Sequence, residues 1–210
     1  MRFPRMVGSV LGALMLPAVV AAQKPTPKIS FGILGGVNLA TITGSDITNK
    51  TMLVGYTGGL FLRVPFDATW SLQTGLEYTM KGVKATDKTV TPAVDMKIEL
   101  KYLEIPVFLR GMTDMSPSVK WYGEVGPVFS FKTDCTASGS QGGVTVSVNC
   151  NDLGTLKSYD IGGAIGTGLE IPVNEQAFLI GARYNLGLID IADQGSNKNQ
   201  NLQFLVGWRF

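Results

Sequence analysis

The chain offers few side chains that could carry out chemistry. It contains no histidine, and serine or carboxylate nucleophiles usually depend on a histidine as base or orienting group. Glu77 and Glu104 have the residue type for paired acid and base work. Charges in a narrow protein interior more often pair with one another, because an unpaired buried charge is costly. We therefore expect no catalytic residue and no bound cofactor.

The first residues of the chain indicate export. Arg2 and Arg5 precede an apolar stretch ending in Val20-Ala21-Ala22, which fits a signal peptide cleaved after Ala22. A membrane anchor helix is the alternative, but the stretch is short for one. We expect a signal peptide over 1–22 and one domain over 23–210. The chain has 18 basic and 16 acidic residues, and cleavage would remove two basic ones. Such a near-neutral domain argues against nucleic acid as a partner.

Cys135 and Cys150 are the only two cysteines, and both lie in one polar segment. An exported chain meets an oxidising environment, so we expect them to form a disulfide. Two cysteines without a histidine make a poor zinc site, so no metal site is expected. Between them, Gly142-Gly143 and three alternating valines are typical of a small hairpin.

Apolar and polar residues alternate through most of the domain, and glycine is abundant, with 26 residues. No segment keeps a helical period or reaches the roughly 20 apolar residues of a membrane helix. The alternation predicts eight strands, near 29–40, 52–64, 69–84, 95–111, 118–132, 156–171, 176–189 and 200–210.

The connections between these strands alternate in length. The short ones are 65–68, 112–117 and 172–175, and the long polar ones are 41–51, 85–94, 133–155 and 190–199. This alternation predicts an all-β fold, an eight-stranded antiparallel up-and-down transmembrane β-barrel. An even number of strands places both chain ends on the short-turn side, which is the periplasm.

Bulky and polar residues fall on opposite faces of each predicted strand. A soluble sandwich or lipocalin-like barrel would turn the bulky face inward, whereas a membrane barrel turns it to lipid. Three features favour the membrane barrel. Aromatic residues gather at the short-turn ends as in an interfacial girdle, closure removes exposed sheet edges, and the chain ends on Phe210. A terminal aromatic resembles the signal that barrel assembly machinery reads. The girdle residues are Trp70, Trp121, Trp208, Phe66, Phe178 and Phe210.

The inward phase of the strands collects charges of both signs. We expect these charges to pair, to fill the lumen and to leave no wide pore. Pro106 falls in a strand where its missing N–H predicts a local bulge. The expected lumen charges are Arg63, Glu77, Glu104, Arg110, Glu124, Asp160, Glu170, Arg183 and Arg209. The glycines expected to make room for them are Gly32, Gly55, Gly75, Gly126, Gly162 and Gly181.

Several segments resemble a known family. The stretch KYLEIPVFLRG over 101–111 resembles the Tyr-Leu-Glu-Ile-Pro strand of the PorT-like outer-membrane β-barrel family, as do FGILGGVNLA, LQTGLEYTMKG and the end GWRF. The similarity extends over essentially the whole domain. It implies an eight-stranded barrel in an outer membrane, in a family whose founding member is associated with protein secretion and most of whose members have no assigned activity.

These observations predict a non-enzymatic outer-membrane barrel that is structural or presents its loops to a partner. Small-solute transport or a secretion-associated role is the alternative, and a lipid-modifying enzyme is a third. The expected partners are outer-membrane lipid, the barrel assembly machinery, and a protein or envelope ligand at the long loops. Among those loops, 133–155 and 190–199 are the expected binding segments, since surface loops usually carry binding.

Overall fold

The computed structural model describes residues 28–44, 50–150, 156–192 and 197–210, so the expected signal peptide at 1–22 lies outside the described residues. None of the described residues belongs to a helix long and apolar enough to cross a membrane. The described residues form nine strands: β1 (Ser30–Thr43), β2 (Lys50–Pro65), β3 (Trp70–Asp87), β4 (Val94–Ser116), β5 (Val119–Gln141), β6 (Val144–Asn149), β7 (Tyr159–Val173), β8 (Gln176–Gly187) and β9 (Lys198–Arg209).

Eight of these strands close into a barrel. Neighbours along the chain pair antiparallel, β1 pairs with β9, and β5 pairs with both β4 and β7. The ninth strand, β6, pairs only with the end of β5 and stands outside the ring. Ser30 lies opposite Arg63 and Arg209 opposite Ala177, so the two ends of the barrel domain lie at the short-turn rim. The predicted fold is confirmed.

The period-2 pattern sorts the strand residues into an outer and an inner face. On β2, Leu60 is 61% exposed while Arg63 is 3% exposed. On β3, Leu76 and Tyr78 are exposed and Glu77 between them is buried. The bulky face therefore points outward and the polar face inward, which is the arrangement predicted for a membrane barrel rather than for a soluble one.

Aromatic rings bound this outer apolar belt at both ends. At the short-turn rim, Trp208 lies opposite Phe178, and Phe210 stacks on Phe31 with ring centroids 5.2 Å apart. The backbone N–H of Phe210 also donates to the Phe31 carbonyl at 2.8 Å. At the opposite rim, Tyr56 and Tyr78 pack with centroids 6.3 Å apart. The sequence predicted the first girdle and missed the second.

The bulge expected at Pro106 is wrong. The β3–β4 register is the same on both sides of this proline, and only the pairs opposite Pro106 and Ile105 are missing from the ladder. The Thr74 hydroxyl donates to the Pro106 carbonyl at 2.8 Å, so a side chain supports the backbone where the proline lacks an N–H. The proline thus interrupts the ladder without shifting it.

A bulge occurs instead at Thr133, near the outer end of β5. Lys101 pairs with Asp134 while Tyr102 pairs with Lys132, which leaves Thr133 as the extra residue. Below it, even-numbered residues such as Ser130 point inward, and above it Cys135 does, with no exposed surface. The bulge reverses the phase of the strand.

The expected glycines act in two different ways. A side chain at Gly181 would collide with the Tyr122 hydroxyl, and one at Gly32 would collide with the Phe61 ring, so these two make room for aromatic side chains and not for the charged ones that were expected. The nearest atoms to the remaining four belong to backbone carbonyls of neighbouring strands rather than to long side chains. That part of the expectation is wrong, because close strand packing explains those positions.

Candidate functional site

The expected lumen charges all lie on the inner face of the barrel. Eight of them are exposed by 4% or less, whereas the Arg209 side chain lies at the periplasmic rim and is 20% exposed. All but Asp160 form three groups at successive heights, described below from the periplasmic side. The period-2 phase places each side chain inward, and the stagger of the barrel decides which ones meet.

The first group centres on Glu170. Arg63 Nη1 contacts one carboxylate oxygen at 2.7 Å, and Arg209 Nε contacts the other at 3.0 Å. A cavity of about 360 Å³ opens to the periplasm beside this group. Lys28 and Lys120 lie on its wall together with both arginines, which makes the periplasmic mouth rich in positive charge.

The second group fills the middle of the lumen. Arg183 Nη1 donates to both oxygens of Glu77, at 3.0 and 2.9 Å, and its Nε donates to Glu124 at 3.0 Å. Arg110 stacks on the Tyr122 ring, with its guanidinium carbon 3.4 Å from the ring centroid. A cavity of only about 20 Å³ remains beside these groups, roughly the space of one water molecule.

The third group contains a cation that the sequence analysis missed. Lys81 Nζ lies 2.6 Å from Glu104, and the Ser130 hydroxyl donates to the same carboxylate at 2.8 Å. Lys81 lies on the inner face of β3, two inward-facing positions beyond Glu77. Continuing the period-2 alternation along this strand would have identified it. Glu77 and Glu104 are register partners, but each is held by its own cation. They are therefore engaged as ion pairs and not arranged as an acid and a base.

Amides complete the interior, and sequence reasoning missed them as well. Asn201 donates to Asn38 at 2.8 Å, and Asn38 donates to the Met80 carbonyl. Toward the outer end, Asn199 Nδ2 donates to Asp160 Oδ2 at 2.8 Å and to the Tyr102 hydroxyl at 3.2 Å. These amides also occupy inward-facing positions of their strands. The period-2 pattern identifies them when uncharged polar residues are counted along with charged ones.

An apolar cluster, here called the outer plug, closes the outer mouth of the barrel. Cys135 and Cys150 form a disulfide with a Cα–Cα distance of 5.3 Å, and both are buried in this cluster. The expected disulfide is confirmed. The outer plug consists of Ile42, Val83, Leu100, Tyr102, Cys135, Cys150 and Ile191.

The described part of segment 190–199 differs from its expected role as a presented loop. Ile191 is buried in the outer plug, and Ala192 forms a β-bridge with Leu156. The described part of this segment therefore helps to close the outer mouth, because the apolar side chain of Ile191 is buried over the lumen and not exposed to solvent.

Above the outer plug, the ends of β3, β4 and β5 continue as a sheet that β6 completes; we call it the outer sheet. Its outward face is polar, and a cleft of about 430 Å³ there is lined by Lys84, Thr86, Lys97, Ser138 and Thr145 among others. At its base, Lys101 Nζ lies 2.8 Å from Asp134, and the hydrogen bond from Lys101 lowers the pKa of Asp134.

The other face of the outer sheet is apolar. Next to the barrel, its Ile98 and Ala137 pack against the outer plug, and beyond them it is uncovered among the described residues. Val144, Val146 and Val148 of β6 are 68, 63 and 51% exposed. Their register partners Gln141, Gly139 and Ala137 share that face. No charged residue or proline lies in β6, although these are the usual protection of an edge strand. Exposed valines outside the lipid belt are typical of a surface that contacts another molecule.

A family model described as "Outer membrane protein beta-barrel domain" matches residues 21–193. No curated protein matches the chain. Among solved structures, the outer membrane protein OprG from Pseudomonas aeruginosa is similar at 17% identity and a TM-score of 0.50, covering 86% of this chain and 95% of its own.

Neisserial surface protein A is 18% identical with a TM-score of 0.48, covering 87% of this chain and 98% of its own. Ail, the attachment invasion locus protein of Yersinia pestis, is 18% identical in its complex with the heparin analogue sucrose octasulfate. That alignment has a TM-score of 0.45 and covers 88% of this chain and all of the other. At such identities the likeness to solved structures concerns the fold alone.

Proposed function

Because this chain belongs to the outer membrane protein beta-barrel domain family, we propose that it works in the outer membrane as a non-catalytic barrel that presents its outer sheet to a partner. Its location is that of the family. The role rests on one observation: the barrel is filled and capped, while a sheet with an uncovered face rises beyond it.

The filled lumen argues against passage of solutes. The arginine and glutamate groups bridge the interior, and a space of about 20 Å³ lies between Arg110, Glu124 and Arg183 of the middle group. The outer plug covers the exit, fixed by the disulfide. Opening a path would break buried ion pairs and expose apolar surface together, and both are costly.

The outer sheet supports a binding role through its chemistry. One face offers hydroxyl and lysine side chains, and the other offers valines beside an unpaired edge. An extended, uncharged segment of a partner could pair with β6 through backbone hydrogen bonds and cover the valines. A protein or envelope ligand with such a segment is the partner we favour, in keeping with the role expected of 133–155.

Three finer assignments belong to this proposal. The motif Tyr102-Leu103-Glu104-Ile105-Pro106 supports a place in the PorT-like branch. The residue types over 1–22 support a cleaved signal peptide. Phe210, seated on Phe31 at the periplasmic rim, supports a role as the assembly signal.

Single-channel recording in planar bilayers tests the closed lumen. We expect conductance far below that of a porin, because no open path crosses the middle group. Large, steady currents would contradict the proposal and favour small-solute transport instead.

An epitope inserted between Gly142 and Gly143 tests presentation of the outer sheet. Both glycines have positive φ, at 57° and 85°, and lie in the exposed β5–β6 turn, so the insertion should leave the barrel folded. Antibody should stain intact cells. The matched control is the same epitope after Asp67 in the β2–β3 turn, which should stain only after permeabilisation. Absence of staining on intact cells, with heat-modifiable gel mobility retained, would contradict the proposal.

A further inference from the structure

Buried side-chain oxygen atoms without a hydrogen-bond donor among the described residues occur toward the outer end of the barrel. They include Asp190 Oδ1 next to the outer plug and, on β7, β8 and β9, Asp160 Oδ1, Asn185 Oδ1 and Asn199 Oδ1. The three strand residues are 2, 5 and 1% exposed. Buried acceptors nearly always have a partner in folded proteins. We therefore expect a hydrogen-bond donor or a cation in this part of the lumen.

The three oxygens come from adjacent strands, β7, β8 and β9. The hydrogen bond from Asn199 Nδ2 to Asp160 Oδ2 at 2.8 Å orients those two side chains. A Cβ on Gly187 would lie 3.5 Å from Asp160 Oδ1 and 3.0 Å from the Asn199 backbone. Asp160 Oδ1 thus faces space that the missing Gly187 side chain leaves free. Asn185 is two residues from Gly187 and shares its inward face.

Asp160 also differs in charge from the other buried carboxylates. Glu77, Glu104, Glu124 and Glu170 each have an arginine or lysine partner. Across the described residues, Asp160 forms no ion pair. Ser130 is its register partner, and Lys132, two positions further along β5, donates its Nζ to the Leu156 carbonyl instead.

The unpartnered atoms lower in the lumen have the opposite polarity. They are Arg110 Nε, Arg110 Nη2 and Gln203 Nε2, all of them donors. The acceptors on β7, β8 and β9 thus include Asp160, a buried carboxylate without an ion pair among the described residues, and a cation would match both their polarity and the missing charge.

We propose that the outer lumen binds a hard, oxygen-preferring cation, Na⁺ or Ca²⁺, through Asp160, Asn185 and Asn199. Carboxylate and amide oxygens are the ligands that such cations take in proteins. The Tyr102 hydroxyl lies beside the site through its hydrogen bond from Asn199. A bound cation would tie β7, β8 and β9 together directly beneath the outer plug and would stabilise the outer end of the barrel.

Thermal unfolding of the purified protein in detergent tests the site. The loss of heat-modifiable gel mobility reports the unfolding. The wild type is compared in NaCl, CaCl₂ and choline chloride at equal ionic strength. NaCl, CaCl₂ or both should raise the unfolding temperature by about 3–6 °C over choline, as expected of a ligand at roughly tenfold its Kd. The arm that gives the larger shift identifies the cation. Equal temperatures in all three salts would overturn the proposal.

Variants separate this site from general salt effects. Asp160→Asn keeps the shape and removes the charge, so it should abolish the cation-dependent shift. Asp134→Asn, an exposed carboxylate paired with Lys101, is the matched control and should keep it. If Asp160→Asn does not fold, Asn185→Asp provides a second variant: the added charge should increase the shift in CaCl₂ more than in NaCl. Retention of the full shift in Asp160→Asn, or no gain in Asn185→Asp, would overturn the proposal.

Discussion

Arg183 shows how a single side chain organises the lumen. Its guanidinium contacts Glu77 of β3 and Glu124 of β5 and lies 4.5 Å from the centroid of the Phe108 ring. The sequence places Glu77 and Arg183 in matching positions of two similar tetrapeptides, Gly75–Tyr78 and Gly181–Tyr184. Their inward phase could be predicted, but their pairing could not. It spans the barrel and depends on the stagger between strands that are not neighbours.

Replacing Arg183 with methionine should destabilise the barrel strongly. The change leaves two buried carboxylates without their shared cation, and breaking a buried pair in this way costs about 3–5 kcal/mol. Urea unfolding of the refolded protein in lipid vesicles measures the loss. Lys97→Met is the control, because the Lys97–Glu99 pair lies at the surface with 37 and 21% of its side chains exposed and should contribute less than about 1 kcal/mol. Equal losses for the two variants would mean that the lumen pairs do not stabilise the fold.

Among the elements, β5 connects the barrel to the outer sheet. It runs unbroken from the periplasmic turn to the tip of the outer sheet, and the bulge at Thr133 lets the same strand serve two different surfaces. Below the bulge its even-numbered residues face the lumen, whereas above it Cys135 reaches the outer plug. Beyond residue 132 the sequence enters a polar segment, and a period-2 pattern cannot place a single inserted residue. For that reason the strand was predicted to end near residue 132, and β6 was expected only as part of a small hairpin.

Deletion of Thr133 should leave the disulfide in place. Removing the extra residue joins Lys132 directly to Asp134, so Cys135 stays opposite Leu100 on the inner face. Mass spectrometry after alkylation of the unreduced protein should find no alkylated thiol. Insertion of one alanine after Asp134 instead turns Cys135 to the outer face, and should leave two alkylated thiols. Two alkylated thiols in the deletion variant would contradict the register described for β4 and β5.

Loss of the disulfide itself should loosen the outer plug without opening the barrel. For a loop with a sequence separation of 15, the chain-entropy model gives a loss of about 3 kcal/mol. In Cys135→Ser/Cys150→Ser we expect a lower unfolding temperature and faster proteolysis of the β5–β6 hairpin. Heat-modifiable mobility at low temperature should persist, since the eight-strand ladder does not include the bond. Unchanged proteolysis would indicate that apolar packing alone holds the outer plug.

For the whole molecule, the sequence was sufficient to predict the number of barrel strands, the orientation of the faces, the location and the disulfide. These follow from local alternation, turn spacing and composition, which are properties of neighbouring residues. The outer plug could not be predicted, because Ile42 and Ile191 lie far apart in the chain and meet only after closure. The partners of each lumen charge were missed for the same reason, whereas the bulge at Thr133 was missed because a period-2 pattern does not place a single inserted residue.

Phe210 should matter more during assembly than in the finished barrel. Phe210→Ser removes the terminal aromatic and one stacked ring, and should lower the amount inserted in cells while refolding in detergent changes little. Phe66→Ser is the control, because Phe66 is an exposed girdle residue in a turn, away from the chain end. Similar insertion of the two variants would reduce Phe210 to an ordinary girdle residue.

The disulfide also has a consequence for the order of events during biogenesis. The periplasm is oxidising, and the ring closed by Cys135 and Cys150 ends up on the far side of the outer membrane. If oxidation comes first, this part of the chain travels as a preformed loop of double thickness and not as a single extended thread. The insertion route would then have to be wide enough for a two-stranded ribbon when the connection between β5 and β7 crosses the membrane. Delayed oxidation would let a narrower passage suffice.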